Sequence, residues 1–298
     1  MAGVKEYAGV ARAPFLLLPP TLVASGAAAA AWANGFSWSR TLLALIGLVA
    51  LHMAVDILNE WSDMRTGIDL NTERTPFTGG SGTLPAGGMS PRAALVYGLV
   101  CVAVGLVIGL WFLREVGWVL LPIVVAGAVC VLAYTDILAR LGVGEIAAGF
   151  GLGAGPVIGS ALVQDGNWNA AAVAAAVPAF FMTFNLLLLN EFPDETADRE
   201  GGRRNLVILL GRRPAAWIYA IAGIATPLAI IVAVTLHVLP PLCLVATLPS
   251  LLLVKPLRWA FTAPDSPVPI PALGANVVWN LATNSVMALG LLVASLLS

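Results

Sequence analysis

Charge is what this sequence has least of: 10% of its 298 residues are Asp, Glu, Lys or Arg, against 59% hydrophobic residues and a mean hydropathy of +0.91. Soluble domains carry about a quarter charged residues, so a water-bathed globular fold is excluded. Cysteine is nearly as scarce. Cys101, Cys130 and Cys243 all lie in apolar runs with no metal-ligand spacing, which excludes a disulfide framework and a cysteine metal centre and leaves inert core thiols. Period-two alternation is missing as well, which excludes a membrane β-barrel. The 15 cations and 16 acids are confined to short segments between apolar runs, so no basic face for nucleic acid is indicated.

What is present is a series of apolar runs of about 20 residues, each long enough to cross ~30 Å of hydrocarbon as a helix. Nine are expected, at approximately 13–33, 41–58, 93–113, 117–134, 143–163, 170–190, 215–237, 238–254 and 272–297. The first is too long for a signal-peptide core and reads as a retained span. Pro240-Pro241 marks a turn or a kink between the seventh and eighth. Every Lys and Arg except Arg40 and Arg114 falls at the N-terminus or after an even-numbered span. By the positive-inside rule the N-terminus is cytoplasmic, and so are the two long connections 59–92 and 191–214. The expectation is an all-α, multi-pass membrane protein of one domain over 1–298. Its nine helices surround a central cavity, with an internal repeat of roughly 41–135 and 170–270.

The repeat is visible as a phrase stated twice, Leu58-Asn59-Glu60-Trp61-Ser62-Asp63 and Leu189-Asn190-Glu191-Phe192-Pro193-Asp194. In each copy Asn and Asp stand four apart, on one face if the helix continues. Asp69 follows the first copy, and Asp198 and Glu200 follow the second. So many carboxylates at the mouths of membrane spans are costly unless a cation joins them. Their oxygen donors suit Mg²⁺, with Mn²⁺ as the second candidate, and such a metal commonly bridges carboxylates to a phosphate ligand. Arg65, Arg74, Arg140, Arg203 and Arg204 are interleaved with them and match phosphate oxygens. Tyr134 faces the same loops. Arg212, Arg213, Lys255 and Arg258 are read as topological charges, and Gly79-Gly80-Ser81-Gly82 as a loop that closes over the site. His52 and Asp56, inside the second span, are left between a polar contact within the bundle and a part in acceptor binding.

These motifs resemble the UbiA superfamily of intramembrane prenyltransferases over nearly the whole chain, most closely the branch that prenylates 1,4-dihydroxy-2-naphthoate. The residues that carry the likeness are Asn59 with Asp63 and Asp69, Tyr134-Thr135 before Arg140, Gly144-Glu145, Gly155-Pro156, and Asn190 with Asp194 and Asp198 followed by Gly202-Arg203. The resemblance implies that Asp63, Asp69, Asp194 and Asp198 ligate Mg²⁺, with Asn59 and Asn190 acting through water or on the diphosphate. It further implies that Arg65, Arg74, Tyr134, Arg140, Arg203 and Arg204 contact the diphosphate of an isoprenyl donor. An aromatic, naphthoate or quinone-type acceptor would then attack the allylic cation. The expected partners are these two substrates and membrane lipid, without an obligate protein partner, and the expected location is a prokaryotic plasma membrane. A terpene cyclase of the same superfamily is the alternative, and a secondary transporter a remoter one. Three positions depart from the pattern: Glu60 where Asp is usual, Pro193 inside the second motif, and Asn205 where Thr is expected. Pro193 predicts a break in the sixth helix before Asp194.

Overall fold

The computed structural model describes every residue except Met1, Asn34, Glu73 and Ser298. Among the described residues the regular structure is helical throughout. Eight helices are long and apolar enough to cross a membrane: α1 (Ala13–Trp32), α2 (Trp38–Thr66), α3 (Pro91–Val116), α5 (Gly144–Asp165), α6 (Ala170–Glu200), α7 (Arg212–Thr235), α8 (Pro241–Thr262) and α9 (Ile270–Leu297). A bent pair supplies a ninth span, in which α4 (Trp118–Leu132) is followed, at 68°, by the segment Tyr134–Leu141.

The helix ends follow from local chemistry. Ser37, Ser90 and Asn169 cap α2, α3 and α6 by accepting the otherwise unpaired N–H groups of Arg40, Ala93 and Ala171. Left-handed Gly67 and Gly166 stop α2 and α5. Pro240-Pro241 is a turn, since α7 has already ended at Thr235. In lipid no water drives helices together, so small side chains and close backbones hold the bundle. Ala28, Ala29 and Ala30 of α1 pack in one cluster with Ala171, Ala172, Ala175 and Ala176 of α6. A methyl group on Gly26 of α1 would lie 2.2 Å from the Val157 carbonyl of α5, so any larger residue there forces the two helices apart. Trp38, Trp118 and Trp168 stand exposed at helix ends, as interfacial anchors do.

Two helices run further than their apolar stretches suggest. α2 continues to Thr66 where an end near 58 is expected, and α6 continues to Glu200 where 190 is expected. The expected break at Pro193 does not occur. Proline removes one N–H and disfavours helix at the preceding residue, yet α6 runs on, and the Phe192 carbonyl beside it accepts from Arg212 Nη1 at 3.1 Å. Two polar turns per helix are thereby added, and these turns carry the acidic motifs.

Candidate active site

A cavity of about 220 Å³ opens between α1, α2, the bent α4 segment, α5, α6 and α9. Its deep walls are apolar, including Phe15, Leu18, Leu48, Leu51, Leu152 and Leu281. Its mouth carries Asn59, Asp63, Asp69, Asn190, Asp194, Asp198, Tyr134 and Arg203. Continuation of α2 keeps Asn59 and Asp63 on one face, where the Asn59 amide donates to Asp63 Oδ2 at 3.0 Å. The bend after α4 is a wider π turn over Tyr134–Leu138. It turns Thr135 toward Asn59 Oδ1, at 3.3 Å, and Asp136 toward the Ser62 hydroxyl, at 2.6 Å.

Arg203 stands between the two acidic motifs. Its guanidinium pairs with Asp63, donates to Asn59 Oδ1 at 2.8 Å, and reaches Asp198 Oδ1 at 3.3 Å. Burial disfavours its charge, but Asp63 and Asp198 more than reverse that and hold its pKa above the ordinary value. The loop that presents it is fixed at both ends of the turn. Asn205 donates to Asp198 Oδ2 at 3.0 Å and caps the short helix Leu206–Leu210, and Glu145, at the start of α5, accepts the Leu206 N–H at 2.6 Å.

Asp69 and Asp194 are arranged differently. Gly67, at φ +82°, ends α2 and starts the short helix Ile68–Asn71 that brings Asp69 back to the mouth. Oδ2 of Asp69 and Oδ1 of Asp194 are buried without a hydrogen-bond partner. Burial pushes the Asp69 carboxyl up to about 7, with Asp63 and Glu60 adding to the shift and Arg12 and Arg203 opposing it. The glycine loop lies across this pair. Gly79 N–H points at Asp194 Oδ2 from 3.4 Å, and Gly80 is so close to Asp69 that an added methyl group would be 2.7 Å from its Oδ1. Gly79, Gly80 and Gly82 all have φ between +70° and +80°, a backbone that favours glycine. Ser81 anchors the loop through its N–H and its hydroxyl, both donated to the buried carboxylate of Glu60, the hydroxyl at 2.6 Å. Arg12 Nε closes the same carboxylate at 3.1 Å. Burial works against the Arg12 charge, and Asp56 and Glu60 outweigh it, so its pKa lies above the ordinary value.

An all-oxygen donor set with two buried, unpartnered carboxylate oxygens and an Asp69 that resists ionisation fits a hard divalent cation. Asp63 and Asp198 already share the single positive charge of Arg203. Among the described residues, no three His, Cys, Asp or Glu side chains converge closely enough to enclose an ion by themselves. The geometry therefore suits a cation that shares its ligands with a substrate, the ordinary habit of Mg²⁺ with phosphates.

The structure brings eight of the twelve candidate residues to the cavity wall and leaves four off it. Arg65 lies over the Trp61 ring at 4.4 Å, Arg74 donates to the Asp69 carbonyl, Arg140 lies beside Gly202, and Arg204 is exposed with its N–H bonded to the Ala139 carbonyl. Sequence reasoning missed Arg12, which lines the cavity. A lone cation before a first span has no signal to separate it from a topological charge. The role of Glu60 was signalled only by its departure from the usual Asp.

Comparison with known proteins places these features. The model of the UbiA prenyltransferase family matches residues 17–296. A 1,4-dihydroxy-2-naphthoate octaprenyltransferase of Mycobacterium leprae is 27% identical over 97% of this chain and 98% of its own. An enzyme of the same name from Bacillus subtilis is 25% identical over 60% of this chain and 57% of its own length. Among solved structures, a UbiA homolog from Archaeoglobus fulgidus bound to GPP and Mg²⁺ matches with a TM-score of 0.64, 14% identity, and coverage of 95% of this chain and 99% of that one. At that identity the match bears on the fold alone.

Proposed function

The chain belongs to the UbiA prenyltransferase family and is a transferase, and on that premise we propose that it moves an isoprenyl group from an isoprenyl diphosphate to an aromatic, naphthoate or quinone-type acceptor inside the membrane, releasing diphosphate. The observation that carries this reading is that Asp69 and Asp194 each keep one buried oxygen without a hydrogen-bond partner beneath one glycine loop, in the wall of a largely apolar cavity. The naphthoate relatives support the acceptor class.

In this proposal Asp69 and Asp194, with Asp63 and Asp198, hold Mg²⁺, which supplies Lewis-acid stabilisation of the leaving diphosphate. Arg203 lies within reach of both motifs and neutralises the oxygens that gain charge as the carbon–oxygen bond breaks. Tyr134 and Asn190 face the same space and orient the diphosphate. The apolar depth receives the prenyl chain and keeps water from the allylic cation. The Lys and Arg bias supports a cytoplasmic N-terminus with both acidic motifs on that side, and the bacterial relatives support a prokaryotic plasma membrane.

The test is diphosphate release from geranylgeranyl or farnesyl diphosphate by the purified protein, with Mg²⁺ or EDTA, and with or without 1,4-dihydroxy-2-naphthoate. Release that needs metal and acceptor, with a prenylated naphthoate as product, is expected. Release without acceptor, giving a cyclic hydrocarbon, would replace the transferase reading by the cyclase.

A further inference from the structure

The cavity face of α2 continues below the acidic motif. His52, Asp56, Asn59 and Asp63 follow one another at steps of four, three and four, so they form a single stripe, and all four line the cavity. The upper two belong to the diphosphate site. The lower two lie among Leu48, Leu51 and Val55, where an ionisable group is expensive to keep. Neither is satisfied within the fold. His52 is only 4% exposed, its Nδ1 has no hydrogen-bond partner, and Asp56 Oδ2 has none either. Their closest approach, Nε2 to Oδ2, is 3.6 Å, too long for a hydrogen bond. A structural pair would close that gap or be capped by a neighbour; this one is left unclosed in the wall of the cavity that would receive the substrates.

We infer that Asp56, with His52 one helical turn away, takes the hydroxyl proton of the aromatic acceptor as the new carbon–carbon bond forms, an inference that rests on the prenyl-transfer reading above. The electron pair of the donor's C1–O bond leaves with the diphosphate. A ring carbon bearing hydrogen forms the bond to C1, the O–H electrons become the carbonyl of a dienone, and the proton passes to an Asp56 carboxylate oxygen. Loss of the ring hydrogen as a proton and return of a proton to oxygen restore the phenol. One turnover thus yields prenylated acceptor, diphosphate and one proton. The charged and titratable neighbours of Asp56 are few. His52 and Glu60 stand on its own helix, and Arg12 is contributed by the segment before α1. Around the cavity, Cys130 of α4, Tyr134 of the bent segment and Glu191 of α6 face inward, while α5 and α9 present no titratable side chain to it. Arg12, engaged through Nε by Glu60, is a cation close enough to act on Asp56.

The experiment uses the full-length protein with Mg²⁺, geranylgeranyl diphosphate and 1,4-dihydroxy-2-naphthoate, and compares wild type with Asp56→Asn, Asp56→Glu and His52→Gln. Asp56→Asn is expected to bind donor within about twofold of wild type, yet to lose about 100-fold or more in kcat, the size of a removed general base. At saturating Mg²⁺, which would hold the metal-site carboxylates ionised, the wild-type kcat should fall toward acid pH, and that limb should be absent from Asp56→Asn. Asp56→Glu should recover part of the rate and His52→Gln should move the acid limb. Asp56→Asn turning over within threefold of wild type on an unchanged pH profile would overturn the inference. If Asp56→Asn does not fold, full rates and unaltered pH profiles in Asp56→Glu and His52→Gln would overturn it equally. Wild-type diphosphate release with no prenylated naphthoate is a different failure, because it defeats the aromatic-acceptor reading itself.

Discussion

In the first acidic motif the helix ends at Thr66 and left-handed Gly67 carries Asp69 onto a separate four-residue helix, whereas in the second Asn190, Asp194 and Asp198 stay on one uninterrupted helix. The two copies nonetheless divide their acids in the same manner. One acid of each, Asp63 and Asp198, is paired with Arg203; the other of each, Asp69 and Asp194, lies under the glycine loop with an oxygen left unpaired. The site is therefore organised across the repeat. Four carboxylates this close could not all stay charged without compensation. An internal guanidinium offsets one of the four negative charges, and a divalent cation would meet much of what is left.

That division can be broken from either side, and the largest effects are expected on the unpartnered pair. Asp69→Ala or Asp194→Ala should cut metal-dependent diphosphate release by about 10³-fold, because each removes charge stabilisation of the leaving group. Equal losses in Arg65→Ala would show that the pair is not special. Arg203→Ala addresses the other pair. It leaves Asp63 and Asp198 without their shared cation and should cost about 3 kcal/mol of stability, in line with the loss of one partner of a buried ion pair. A melting temperature equal to wild type would refute the counterion role, and Arg203→Lys should restore only part of it.

Asp69 also gives the comparison a pH signature. Its carboxyl titrates near 7 in the fold against an ordinary value of 3.8, so the fold disfavours the charged form. In EDTA, stability should fall as pH rises from about 4 through about 7, and Asp69→Asn should flatten that decline. Thermal melts at pH 5 and 8 decide it. A smaller effect is expected from the loop anchor. Glu60→Gln keeps the shape but removes the charge that holds Ser81 and Arg12, and should lower kcat about tenfold while exposing residues 78–82 to proteolysis. The smallest effects belong to the cations off the cavity: Arg65→Ala and Arg204→Ala should stay within about twofold of wild-type kcat, as exposed charges do.

Much of this was legible without coordinates. Apolar runs of membrane length, their number and the repeated Asn/Asp phrase all follow from linear spacing, because a helix converts spacing into a shared face and hydrocarbon thickness sets its length. The acidic site residues were readable for the same reason. Arg12 was not, since its worth depends on a carboxylate at position 60 and a left-handed turn that folds it inward. Nor could the continuity of α6 be read, because the penalty at Pro193 is local while the packing of Leu188, Leu189 and Phe192 that holds the helix there comes from elsewhere in the bundle.

The sequence by itself determined an all-helical membrane protein, its family likeness and the oxygen-rich chemistry of the segments that follow its second and sixth spans. Only the tertiary structure decided which carboxylates are paired with Arg203, which lie open beneath the glycine loop, and which buried groups of α2 line the cavity. The Arg203–Asp63 pair and the Gly79–Asp194 contact join residues 140 and 115 positions apart, and a separation along the chain carries no information about such distances until packing has fixed them.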